Sequence, residues 1–223
     1  DDETKLFLNA IAGFLLTVLF IFTIIVLIFT PIFILFFAPG FYIDPTKKDL
    51  SVQVLRIMFP YLALISLVAF ASGIQNTHQK FSIPAFTPVV FNVILIIAAF
   101  FIAPNYDMPI LVLAWGVLLA GFVQLIIQVS PLINIDKLPV PKLDFNNEGV
   151  RKFMTIIFPA IIAGGILQIN LLIDTIFASL LETGSPTWLY ISDRLIQFPM
   201  GIFAIAIGTV LLPTLSKYDL KTE

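Results

Sequence analysis

SPTWLYISDRLIQFPMGIFAIAIGTVLLP, residues 185–213, decides how this chain is read. Most of it is apolar enough to lie in lipid. Yet an adjacent acid and base, Asp193 and Arg194, stand near its start, followed by Gln197, Pro199, Gly201 and Gly208. On a helix, Asp193, Gln197, Gly201, Ala204 and Gly208 recur three or four apart and share one face. Arg194 lies about 100° round from Asp193, at the border of that stripe. Small and polar residues along one face of an apolar helix predict that the face meets protein or water, not lipid. Pro199 has no N–H to return to the carbonyl of Leu195, which leaves an acceptor beside the charged pair. The stretch reads as the polar lining of a membrane cavity.

The rest of the chain agrees with a membrane setting. It is 59% hydrophobic and 12% charged, against roughly 25% charged in a soluble domain. Several apolar runs approach the roughly 20 residues that a bilayer-crossing helix needs, so the expected fold class is all-α and polytopic. A net charge of −2 argues against a nucleic-acid partner, and the lack of cysteine excludes a disulfide framework or thiolate metal site. The polar start, DDETK, is not a signal peptide. The expectation is a piece of a longer protein.

Six spans are predicted, over 6–37, 52–73, 86–103, 109–129, 151–181 and 187–215. Pro31 should kink the first, and Pro88 should open the third, where an early proline is tolerated. Polar connections fall at 42–50, 74–85, 104–108, 132–150 and 182–186, with a polar tail at 216–223. The longest, 132–150, mixes charge with Leu138, Val140, Leu143 and Phe145, as a segment on a membrane surface would. Asn147 is the expected N-cap of the fifth span. With six spans the termini share a side. Lys5, Lys80, Lys137, Lys142, Arg151, Lys152, Lys217 and Lys221 lie on it, against Lys47 and Lys48 opposite. By the positive-inside rule that makes the termini cytoplasmic.

Asp174 lies about ten residues before the 182–186 turn and Arg194 about nine after it, so both sit roughly 14 Å below the hairpin tip. A charge at this depth costs roughly 2.5–3.5 kcal/mol on insertion scales, so pairing or water is expected. One reading is a structural Asp174–Arg194 bridge. Another is a wet cavity in which Arg194 offers its fork to phosphate or carboxylate and Asp174 holds a cation or proton. Asn170, four residues before Asp174, would add an oxygen ligand. A third supplies a further arginine from outside the chain. Arg56 is expected to snorkel to the interface, and Trp188 and Tyr190 to join an aromatic belt. His78 has no clustered partner for a metal. Gly116 and Gly121 are too far apart for a GxxxG contact, and no phosphate-binding loop or nucleophile–base pair is present.

Several stretches together resemble the MurJ (MviN) family of lipid II flippases. They are LRIMFPY (55–61), QNTHQKFSIPAFTPVVFN (75–92), LAWGV (113–117), QINLLIDTIFASLL (168–181) and WLYISDRLIQFPMGIFAIAIGTVLLPTLSK (188–217). The resemblance runs in order through nearly the whole chain. It implies a two-lobe exporter fold of fourteen helices, related to multidrug and oligosaccharide-lipid exporters, of which this chain would supply spans three to eight. Residues 1–131 would be the remainder of the N-terminal lobe, with four spans. Residues 132–150 would be a cytoplasmic amphipathic linker, and 151–223 the start of the C-terminal lobe, with two spans. The implied activity is movement of the undecaprenyl-pyrophosphate-linked peptidoglycan precursor across the bacterial inner membrane by alternating access. It is transport by a full-length monomer, not enzymatic catalysis.

Residue by residue, the resemblance carries substrate binding to Arg194, Asp193, Ser192 and Gln197. It carries an ion site to Asp174, with Asn170 beside it, and with it possible Na+ or H+ coupling without a resident cofactor. There are departures. Ser192 and Gln197 stand where the family often has alanine and glutamate, Lys80 replaces a common arginine, and His78 stands where tryptophan is frequent. Family arginines of the first two spans have no counterpart here, so the chain alone is not expected to flip lipid. The alternative reading is an exporter of another polyprenyl-linked oligosaccharide, or a cation-coupled multidrug antiporter of the same superfamily.

Overall fold

The computed structural model describes residues 2–144 and 147–201, the side chain of Leu167 excepted. All regular secondary structure among them is helical. The elements are α1 (Asp2–Ile28), α2 (Thr30–Phe37), α3 (Pro39–Ile43), α4 (Pro45–Met58), α5 (Pro60–Thr77), α6 (Ser82–Ile97), α7 (Pro109–Asn134) and α8 (Glu148–Leu180). A ninth helix, α9, occupies residues 185–201. Five stretches are long and apolar enough to cross a membrane: Asp2–Ile28, Pro45–Thr77, Ser82–Asn105, Pro109–Asn134 and Glu148–Leu180. The sixth expected span is described only to residue 201; Ala204, Gly208 and the 216–223 tail lie outside the described residues.

Prolines set the breaks. Pro31 removes the donor that would return to the carbonyl of Leu27, and the helix bends at Phe29. The hydroxyl of Thr30, fully buried, donates to the carbonyls of Leu27 (3.0 Å) and Val26 (2.7 Å) and replaces the missing bond. A backbone acceptor in a membrane needs such a substitute. The expectation for Pro88 is corrected: α6 starts at Ser82, so Pro84 occupies the first turn and Pro88 falls inside the helix. The same helix ends in a π-helical turn, Ala98–Ile102, followed by a 3-10 turn, Ala103–Asn105.

The polar segment 42–50 is helical rather than a loop. Asp44 caps α4, its carboxylate accepting from the backbone N–H of Thr46 (3.0 Å) and Lys47 (3.3 Å), with Pro45 at the first helical position. Arg56 therefore stands in the last turn of α4, exposed, rather than one turn into a span. Asn147 caps α8 as expected, accepting from the N–H of Gly149 at 2.9 Å.

Helix α7 packs against both α5 and α6. An amide cluster pins this three-helix unit. Gln75 of α5 donates to the side chain of Gln128, and Gln128 donates to Ser72 and Thr87, each at 2.9 Å. Gln124 donates to the carbonyl of Thr87 at 3.0 Å. The start of α1 joins this unit through Leu8, packed with Ala71, Ile74 and Leu132.

The 132–150 connection does not run free. From 135 to 144 it runs without helix or strand across the start of α1. Val140 donates its N–H to the side chain of Asn9 at 2.7 Å, Lys142 donates to the Asn9 carbonyl at 3.0 Å, and Asp136 pairs with Lys5. A Cβ at Gly13 would sit 2.1 Å from the Lys142 carbonyl oxygen, so only glycine admits the crossing.

Candidate functional site

Helix α8 touches the preceding helices at its two ends. At its start, Val150 and Phe153 pack with Ala10, Ile11, Phe14 and Phe70. At its end, the hydroxyl of Ser179 accepts from the N–H of Gly40 at 3.1 Å. Just beyond, Lys47 donates to the hydroxyl of Thr183 at 3.0 Å. Between these contacts, from 151 to 177, no described residue is buried. A Cβ at Gly164, Gly165 or Gly201 would meet nothing within 4 Å. The small-residue faces of α8 and α9 thus have no packing partner among the described residues.

The candidate residues lie on these two helices. Asn170 and Asp174 are exposed on α8 and make no hydrogen bond or ion pair among the described residues. On α9, Ser192, Arg194 and Gln197 are exposed and Asp193 is half-buried. Arg194 is held by its own helix. Its guanidinium carbon stands 5.0 Å from the centre of the Tyr190 ring, and one terminal nitrogen donates to the side-chain oxygen of Gln197 at 3.3 Å.

A direct Asp174–Arg194 bridge is not formed, nor does Arg194 pair with Asp193. The reason is local: Tyr190 and Gln197 stand four residues before and three after the arginine, the spacings at which helical side chains meet. Equal depth across a turn does not bring side chains together when nearer partners exist on the same helix. The structure therefore unites Arg194 with Gln197 and leaves Asp174 and Asn170 apart from them.

The chemistry available follows from that arrangement. A guanidinium carries five N–H donors and a charge that does not titrate away. Here one donor goes to a neutral amide and the guanidinium carbon stands over an aromatic ring, so neither partner cancels the charge. The remaining donors suit a phosphate or carboxylate. Among the described residues no group of histidine, aspartate and glutamate side chains is arranged to hold a metal ion.

Sequence reading places Tyr190 in an interfacial belt and does not give its contact with the arginine, for which the i, i+4 spacing is the available signal. It also missed the Gln75–Gln124–Gln128 cluster, although two glutamines four apart inside an apolar span mark a polar contact between helices.

Comparison with known proteins agrees with this architecture. The family model described as lipid II flippase MurJ matches residues 1–222. A probable lipid II flippase MurJ of Buchnera aphidicola is 43% identical over 97% of this chain and 42% of its own length. One of Haemophilus influenzae is 38% identical over 100% of this chain and 45% of its own. The lipid II flippase MurJ of Burkholderia cenocepacia is 36% identical over 100% and 44%. A solved structure of lipid II flippase MurJ in an inward closed conformation superposes with a TM-score of 0.79 at 26% identity, over 97% of this chain and 45% of that one. The chain thus spans less than half the length of the relatives it matches. Its apolar helices and these relatives identify a multi-pass protein of the inner membrane. The chain belongs to the MurJ family of lipid II flippases.

Proposed function

We propose that this chain is the part of a lipid II flippase that spans the junction of its two lobes, and that Arg194 receives the pyrophosphate of the lipid-linked precursor. The observation that carries this reading is an exposed arginine, on an apolar helix, whose charge no described acid neutralises. A bare cation inside a membrane protein is costly and marks a substrate or ion path. Pyrophosphate supplies paired oxygens that match the guanidinium fork. Undecaprenyl tails stay in lipid, and no bond is made or broken. The contacts at the two ends of α8 are where alternating access would open and close. Asp174 and Asn170, exposed oxygen donors on the same helix, are the candidate seat of a coupling Na+ or H+. The distribution of lysine and arginine supports cytoplasmic termini in this reading.

The test is flipping of lipid II by the full-length protein. Arg194→Ala abolishes it and Arg194→Lys, which keeps charge but loses the fork, impairs it, while protein abundance stays near normal. Asp174→Ala combined with Arg194→Ala should be no better than Arg194→Ala alone. Recovery in the double variant would mean that the two residues form a structural pair in the whole protein. Recovery of that kind, or wild-type flipping by Arg194→Ala, removes the substrate role.

A further inference from the structure

We propose that Tyr190 is a positioning residue for Arg194: its ring holds the guanidinium pre-aimed and leaves N–H donors open to a phosphate-type dianion. The proposal rests on the reading of Arg194 as a phosphate receptor. Three observations carry it. The guanidinium carbon lies 5.0 Å from the ring centre, inside the roughly 6 Å reach of a cation–π contact. The Gln197 oxygen, 3.3 Å from one terminal nitrogen, fixes the rotation of the fork within that contact. Tyr190 and Gln197 flank the arginine along the axis of one helix, so a single rotamer satisfies both.

The choice of partners matters chemically. A carboxylate would orient the arginine equally well but would cancel its charge and compete with the ligand. An aromatic face and a neutral amide orient it without adding a negative charge. A long side chain held in its binding rotamer loses less freedom when the ligand arrives, which favours binding. The N–H groups that the Gln197 oxygen does not engage remain for ligand oxygens, which approach in the guanidinium plane, where the N–H groups point.

The experiment measures binding of lipid II to the full-length protein in bilayer nanodiscs, at matched amounts of folded protein. Tyr190→Leu is expected to weaken binding about two- to fivefold, the scale of an exposed cation–π contact. Tyr190→Phe keeps the ring and is expected to bind as wild type. In an Arg194→Ala background, Tyr190→Leu is expected to cause no further loss. A tyrosine that merely anchors the helix at the interface gives a different pattern: Phe costs as much as Leu, or the Leu cost persists without the arginine. Either of those results, or unchanged binding by Tyr190→Leu, overturns the proposal while leaving Arg194 its role. Wild-type binding by Arg194→Ala is the separate result that removes the phosphate-receptor reading itself.

Discussion

Gln75, Gln124 and Gln128 bring three amide side chains into the interior of a bundle whose other surfaces are apolar, each at most 2% exposed. They do not contribute equally. Gln128 accepts from Gln75 and donates to Ser72 and Thr87, so its loss strands groups on two other helices. Gln124 makes one bond, to the Thr87 carbonyl, and keeps an unpartnered buried oxygen. A buried polar group left without its partner costs about 1–3 kcal/mol, whereas removing an already unsatisfied acceptor recovers part of what the lost bond gave. Gln128→Leu is therefore expected to destabilise the full-length protein by about 2 kcal/mol, and Gln124→Met by less than about 1 kcal/mol. Thermal unfolding in detergent checks both; equal losses would mean that the network is not centred on Gln128. The polar residues of α8 and α9 were legible in the sequence because charge in an apolar run is conspicuous. Their partners were not, because a rotamer choice between a same-helix neighbour and a residue across a turn leaves no periodic trace.

At the level of elements, two glycines decide how the chain crosses itself. A Cβ at Gly40 would stand 1.7 Å from the carbonyl oxygen of Ser179, and one at Gly13 would stand 2.1 Å from that of Lys142. Both obstacles are backbone, which cannot swing aside as a side chain tip does. Gly13→Ala is expected to lift the 140–142 segment off α1. The amides of Val140 and Lys142, which donate to Asn9, would then exchange hydrogen faster in the full-length protein. Unchanged protection at those amides would mean that the crossing is held elsewhere. The same docking carries a pH dependence. Asp136 has its carboxyl held below the ordinary range, first by its hydrogen bond from Lys5 and then by the charges of Lys5 and Lys137. A depressed carboxylate contributes stability above its unfolded value, near about 3.9, and loses it as pH falls through the folded value. Attachment of the linker should be flat from neutral pH down to about 5 and loosen below about 4. In Lys5→Ala, which loses the largest causes of the depression, that acid loosening should shrink. The existence of five of the apolar spans and the cap at Asn147 were readable from pattern. The close crossings were not, since a glycine in an apolar run looks the same whether or not another backbone passes over it. Pro88 was misread for a related reason: the SIPA segment supplies its own first turn, which sequence spacing did not reveal.

The whole molecule sorts its connections onto two faces. Lys5 pairs with Asp136, and Asn9 holds the 140–142 segment, so the start of α1 and the linker share one face. The ends of α5 and α7 join it through Ala71, Ile74 and Leu132, which brings the 78–81 turn to the same side. On the other face Lys47 bonds to Thr183, and Gly40 to Ser179, so the α3–α4 corner meets the turn after α8. Lys80, Lys137, Lys142, Arg151 and Lys152 accompany the first face, and Lys47 and Lys48 the second. By the positive-inside rule this bias predicts that the first face is cytoplasmic. Single cysteines at 47 and 182 of the full-length protein should then react with an impermeant maleimide in intact cells. Cysteines at 80 and 142 should react only after the membrane is opened. The four positions separate two kinds of failure. Labelling of 80 and 142 alone in intact cells would invert the orientation and leave the fold intact, since the pairs still segregate. Labelling of 80 together with 47 would contradict the fold itself, because the helical stretch Pro45–Thr77, long enough to cross the membrane, separates the two positions.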